Sequence, residues 1–512
     1  MFKNKTFWLL LLLCAISLSA NIGGYSIYLL DEAKNASCAR EMLESQNWVV
    51  PTFNYQLRED KPPLHYYFMA LSYSFFGVNE FAARFFSVVF GCLTMLCIYF
   101  VSAISLGRKA AKYAVLTLIS SLGFIVQFHL AVPDPYLVFF FTASLLSFYK
   151  SIEVSEDRWM YLSHLFIGLG IMTKGPIGLL PLLIMVILKF KWSLSWKGLR
   201  ILHGTLIIML AALPWYVLVT VQTDGEWLRL FLLDHNINRF LDVREGHGGM
   251  FFLTPIYFLI MSLPLGIFLI PAVWWYKNHQ GNRLVDLSLV TLIVILVFFS
   301  ISATKLPNYV SPALPFGSII AGYYLATGYR LNLSTIIPLI FYFIIGLSIP
   351  LFVQYGLEKE GFEPMTSYLF IIPLGAGLGL LFLWRSRLDL GFWSIALSSI
   401  LTITLAFFLI VPSIDGHNPV KNSVHLIDKQ RTVASFHIFN PSYSFYLKRE
   451  IPVFTDPHVL DLYLSNGGIV ITRPHVLDEL KTLKLDSIYS GRDLFDGTTT
   501  TVLRKVSTRS DR

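Results

Sequence analysis

Apolar residues in this chain fall in long runs rather than in alternating or heptad patterns. Candidate membrane spans cover about residues 7–30, 80–106, 113–129, 132–150, 159–173, 176–190, 200–221, 251–275, 285–301, 310–328, 333–354, 367–384 and 391–411. Runs of roughly 20 apolar residues match the thickness of a bilayer. Gly and Pro interrupt several of them. Residues 62–76 are apolar but short and predict a re-entrant or interfacial helix. The pattern gives a polytopic α-helical membrane protein with about thirteen transmembrane helices in residues 1–411.

Two polar stretches break this pattern. The first is Asp31–Pro63, which leads a first extracytoplasmic loop of residues 31–79. Within it Ala36, Ala39 and Leu43 recur at helical spacing, with Lys34, Arg40, Glu41 and Glu44 around the other face. That spacing predicts an amphipathic helix in the interface with Asp31 as its N-cap. The second is residues 412–512, rich in charges and histidines. Strand-like runs stand at Thr432–Phe439, Ile451–Thr455, Gly468–Arg473 and Thr498–Val506, with a short helix at His475–Leu483. They predict a small C-terminal soluble α/β domain.

Composition agrees. Hydrophobic residues make up 55%, charged residues 14%, and mean hydropathy is +0.60, a balance that leaves too little charge for a soluble surface of this size. The net charge of +8 does not imply nucleic acid, because the basic residues sit mostly in short loops and in the tail. Lys3/Lys5, Arg108/Lys109/Lys112, Lys150/Arg158, Lys189/Lys191/Lys197/Arg200, Lys277/Arg283, Arg330 and Arg385/Arg387 occupy every second loop. These face the cytoplasm by the positive-inside rule. The N-terminus is then cytoplasmic, and Asp31 and the C-terminal region lie outside it. Lys3 and Lys5 before an apolar run also suit a signal peptide, but apolar character continues to Leu30, which favours an uncleaved helix. Cys14, Cys38, Cys92 and Cys97 have no paired spacing and leave the redox compartment open.

Ionisable groups at a membrane edge are costly and usually functional. The outward loops concentrate them: Asp31-Glu32, Asp60-Lys61, Asp134 between two prolines, the run from Asp234 to Arg239, His247, and Lys305 with Tyr309. Cations there suit an anionic head group, and a carboxylate suits a base that activates an attacking group. Each has a structural alternative. Asp31 and Asp134 can cap helices, Lys61 and Lys305 can snorkel, and Arg239 can pair with Asp234 or Asp242. Lys174 before Gly175-Pro176 reads as a helix break. His235 and His247 with a nearby carboxylate leave a divalent metal ion open, but two loop histidines do not make a site.

In order, the DE pair with its REMLES helix, the EDKPP element, Asp134, MTKGPIGLLP at Met172–Pro181, the NRF…HGG stretch and KLPNYVSPALP at Lys305–Pro315 resemble the GT-C superfamily of membrane glycosyltransferases. The resemblance covers about residues 1–411 and is strongest to the bacterial protein mannosyltransferase-like branch that includes the lipid A aminoarabinose transferase. It implies an inverting transferase moving a sugar from a polyprenyl-phosphate carrier to a lipid, glycan or protein acceptor on the periplasmic side of a bacterial inner membrane. It implies Asp31 as base, with Glu32 and Asp134 shaping the pocket. Lys61, Arg239 and Lys305 would neutralise the donor phosphate, Tyr309 would bond it, and Lys34, Asp60 and His247 would complete the pocket. Asp60 and Lys34 stand where the aminoarabinose branch commonly has Glu and Arg. Three rival readings remain at this point: a transporter or flippase for a lipid-linked sugar, a glycan ligase using a polyprenyl-diphosphate donor, and a non-catalytic scaffold. Clustering of charge at one face and the lack of internal repeats argue against the transporter.

Overall fold

A computed structural model describes residues 4–242, 248–359, 361–362, 365–427, 431–465, 467–493 and 498–506. Helix α1 (Lys5–Ser19) begins where the Asn4 side chain accepts from the Thr6 amide. It ends well short of the predicted residue 30. A turn at Asn21–Gly24, with Asn21 at φ +55°, breaks it. The irregular backbone that follows would be untenable in an apolar setting, and one arginine satisfies it. Arg84 donates to the carbonyls of Ile22, Tyr25 and Ser26 at 2.7–3.0 Å.

Helix α2 (Leu30–Ser45) follows. Its N-cap is Leu29, and Asp31 already lies in its first turn, so the predicted Asp31 cap is corrected. The predicted amphipathic face is also corrected. Glu32, Asn35, Arg40 and Glu41 are as buried as Ala33, Ala36 and Ala39, because Arg84 covers Glu32, Arg58 covers Asn35, residues Thr52–Tyr55 cover Glu41 and the Ser444 carbonyl meets Arg40. A two-residue hairpin joins β1 (Thr52–Phe53) to β2 (Gln56–Leu57), and α3 (Leu64–Phe76) supplies the short apolar helix.

The bundle continues with α4 (Glu80–Ser105), α5 (Arg108–Ser120), α6 (Leu122–Phe128), α7 (Asp134–Val154) and α8 (Asp157–Lys174). At Gly175, which has φ +70°, the chain enters a 3₁₀ turn (Gly175–Leu179) packed against α8, and then α9 (Leu180–Lys191), which packs on α7 and on the helix Arg283–Ile301. A Cβ on Gly178 would stand 2.5 Å from the Gly170 carbonyl carbon, so the two backbones touch. Lys191 reaches Asp286 (3.4 Å) near the start of the helix Arg283–Ile301, whereas Lys174 stays beside Asp134 at the other end of the bundle. Among the described residues, eight helical stretches are long and apolar enough to cross a membrane; the pair α5 and α6, bent by 61°, makes nine. Two shorter apolar helices are Lys5–Ser19 and Leu265–Lys277.

The last part of the chain holds a five-stranded sheet of β3 (Val433–Phe436), β4 (Val453–Phe454), β5 (Ile469–Thr472), β6 (Leu485–Asp493) and β7 (Thr498–Lys505). Its order is β4-β3-β5-β7-β6; β3 runs parallel to β4 and β5, and β7 antiparallel to β5 and β6. The edge strand β6 was missed in the sequence because it is mostly polar and solvent-facing, without apolar alternation. The predicted helix at His475–Leu483 is a 3₁₀ turn, Pro474–Leu480.

This region is fastened to the polar stretch between α1 and α4. Arg40 donates to the Ser444 carbonyl (3.3 Å), and the Asn54 side chain exchanges two hydrogen bonds with the Ile451 backbone. Tyr446 donates to Glu80 and accepts from the Ile27 amide, both at 2.8 Å. Tyr28 donates to Asp493 (3.0 Å). The helix that begins with the Asp31-Glu32 pair is therefore set by contacts some 400 residues away in sequence.

Candidate active site

Asp134 opens α7, where the positive end of the helix dipole favours a carboxylate. Lys174 closes α8, and its Nζ donates to Asp134 Oδ1 at 2.7 Å. Asn308 Nδ2 reaches the same oxygen at 3.4 Å. The ammonium also stands 5.4 Å from the centre of the Tyr309 ring. Three distant segments therefore converge, and Lys174, expected only as a helix break, is a charged member of the group.

The second half of the site is built on the EDKPP element. Arg58 Nη2 bonds Asp60 Oδ2 and Asn35 Oδ1, each at 3.0 Å, and Arg58 Nε donates to Tyr66 (2.9 Å). Lys61 Nζ lies 4.0 Å from Asp60 Oδ2. Burial pushes the Asp60 carboxyl up, but Arg58, Lys61, His235 and Lys34 outweigh it and hold the group well below the usual carboxylate range. His235 faces Glu59 at 3.7 Å and keeps that carboxyl low as well. Asp60 and Lys34, expected in one pocket, are thus electrostatic neighbours.

His65 joins the two halves. It is fully buried, and the charges of Arg58, Lys61 and Lys174 all act on it. Burial first, then these cations, push its pKa well below 6.5 and keep the ring neutral at pH 7. Its Nδ1 has no hydrogen-bond partner among the described residues. The sign follows from linkage: below about pH 6.5 the unfolded chain binds a proton that the folded chain refuses, so this contribution to stability is lost as pH falls. His65→Gln should show a smaller drop in melting temperature between pH 7.5 and 5.5 than the parent, measured by differential scanning fluorimetry in detergent.

The remaining predicted residues divide. Asp31 is exposed, with no hydrogen bond or ion pair among the described residues. It stands one residue before Glu32, whose Oε1 accepts from the Ala131 amide (2.9 Å), three residues ahead of Asp134. Glu32 does not face solvent. Arg84 holds both its oxygens at 2.8 Å, and the pair is 0% and 1% exposed. Lys305 is buried and donates to the Ser302 carbonyl (2.6 Å). Tyr309 packs on Phe299 beside Lys174. The Arg239 side chain and all of His247 lie outside the described residues. No group of three or more His, Cys, Asp or Glu among the described residues is arranged to hold a metal ion. Sequence reasoning missed Lys174, Asn308, His65 and Arg84. Only Arg84 carried a signal: a lone charge in the first turns of an apolar span.

The family described as dolichyl-phosphate-mannose-protein mannosyltransferase matches residues 60–217. A Pseudomonas fluorescens protein named undecaprenyl phosphate-alpha-4-amino-4-deoxy-L-arabinose arabinosyl transferase 2 is 32% identical over 345 residues, covering 64% of this chain and 61% of the relative. An Aquifex aeolicus protein without a named activity is 29% identical over 345 residues, 66% of this chain and 76% of its own length. The crystal structure of ArnT from Cupriavidus metallidurans bound to undecaprenyl phosphate superposes with TM-score 0.84 at 21% identity, over 99% of this chain and 100% of that one. That likeness establishes the fold from end to end. The chain thus has the fold of that ArnT structure from end to end and, over residues 60–217, is similar to the dolichyl-phosphate-mannose-protein mannosyltransferase family.

Proposed function

We propose that this chain transfers a sugar from a polyprenyl phosphate, undecaprenyl in a bacterium, to a lipid A-like, glycan or protein acceptor outside the cytoplasm. Its setting is the bacterial inner membrane, with the N-terminus cytoplasmic and residues 412–512 as a periplasmic α/β domain on about thirteen spans. The observation that carries the reading is the convergence of Lys34, Arg58, Lys61 and Lys174 around His65 and Asp60 beside the Asp134 carboxylate.

In the reaction the acceptor nucleophile attacks the anomeric carbon, and the bond from that carbon to the phosphate oxygen breaks. The phosphate leaves with one more negative charge than it had in the donor. Cations already fixed at a low-dielectric boundary stabilise that charge without reorganising. Lys61 and Lys174 have the exposure to reach it. Asp31, exposed on the same rim, takes the proton of the acceptor. Glu32 acts one step removed, by holding Arg84 and so the start of α2.

The test is to incubate purified protein with radiolabelled polyprenyl-phosphate sugars and membrane extract, and to identify the labelled product. Lys61→Gln and Lys174→Gln should each lower the rate of transfer by about 10²-fold or more, the scale for losing one preorganised charge contact. Labelled product at the parent rate from both variants would remove these cations from the mechanism, and no product from any donor would remove the activity.

A further inference from the structure

A second charged cavity lies at the other end of the bundle. It has a volume of about 570 Å³ and is lined by Tyr149, Lys150, Glu153 and Arg283, with Ile104 and Val154 on its apolar wall. Three helices fix its depth. α4 starts at Glu80, α7 at Asp134, and the helix Arg283–Ile301 ends just before Lys305, all near the catalytic rim. Their opposite ends form the cavity. At 1.5 Å per residue they run about 28–39 Å, so the cavity sits one bilayer thickness from the site, in the other leaflet.

The chemistry there is that of a lipid headgroup. Lys150 and Arg283 against Glu153 leave one net positive charge. Arg283 and Glu153 are about half-exposed and only 3.5 Å apart, a weak pair that can open to a better anion. The Arg283 guanidinium lies 6.0 Å from the Trp192 ring, whose indole donates to Asp286 (3.3 Å), an arrangement suited to headgroup depth. Ile104, 63% exposed, extends the wall outward where an acyl chain would lie. A soluble anion would use the cations and leave this apolar wall unused.

We infer that this cavity binds the phosphodiester of an acidic phospholipid from the leaflet opposite the active site. Native mass spectrometry of the full chain in mixed phosphatidylglycerol and phosphatidylethanolamine nanodiscs tests it. The parent protein should retain phosphatidylglycerol selectively. Lys150→Gln/Arg283→Gln should bind it about tenfold or more weakly, while Lys150→Arg should keep it. Unchanged selectivity in the double variant overturns the site. Displacement by millimolar inorganic phosphate would assign it to a free anion, and preference for polyprenyl phosphate would assign it to the carrier; either overturns the phospholipid. If the double variant fails to fold, Lys150→Gln alone carries the same comparison, because Lys150 has no ion pair among the described residues.

Discussion

Asp31→Asn should reduce sugar transfer by about 10²–10⁴-fold, the range for loss of a general base, while the protein remains folded and inserted. The two side chains have nearly the same shape, and Asp31 makes no hydrogen bond or ion pair among the described residues. The substitution removes only a carboxylate from the first turn of α2, a helix-dipole contribution of about 0.3–1 kcal/mol. Melting temperature should therefore stay close to that of the parent while turnover collapses. The measurement is initial transfer rate, with a thermal melt on the same sample. A variant with the parent's rate would place the base elsewhere, and Asp134 beside Lys174 would be the next carboxylate to test.

Arg84→Met should give the largest loss of stability. Arg84 is fully buried, holds both oxygens of Glu32, and satisfies three backbone carbonyls in the broken segment after α1. Breaking a buried pair by removing one partner costs about 3–5 kcal/mol, because the other charge is left without compensation. Glu32→Gln/Arg84→Met should recover part of that loss, since a neutral amide replaces the orphaned carboxylate. The double-mutant cycle, read as thermal midpoints in detergent, gives their coupling. Transfer should remain low in the double variant, because the turn that sets α2 and Asp31 still lacks its clasp. If the single variant melts with the parent, Arg84 and Glu32 are not what fixes that turn.

The sequence by itself determined the membrane class and the confinement of ionisable groups to the stretches between apolar runs. Both follow from one-dimensional properties: long apolar runs have no stable place in water, and charges avoid hydrocarbon. It also selected Asp31, Asp60, Lys61 and Asp134 by type and position, and the structure places Asp134 against Lys174 from another helix and Asp60 against Arg58 and Lys61 of its own loop.

Tertiary structure alone decided which partner each charge has. Glu32 and Asp31 are neighbours in sequence, yet one is sealed against Arg84 and the other is exposed. Lys174 looked like a turn because its partner lies 40 residues away, across the α7–α8 hairpin. The polar face of α2 looked solvent-facing because its cover comes from Arg84, Arg58, the β1–β2 hairpin and Ser444. Periodicity records how a segment divides oil from water. It carries no record of which distant group arrives to desolvate or neutralise a given charge, and at this rim that pairing is what separates a fastening from a reactive group.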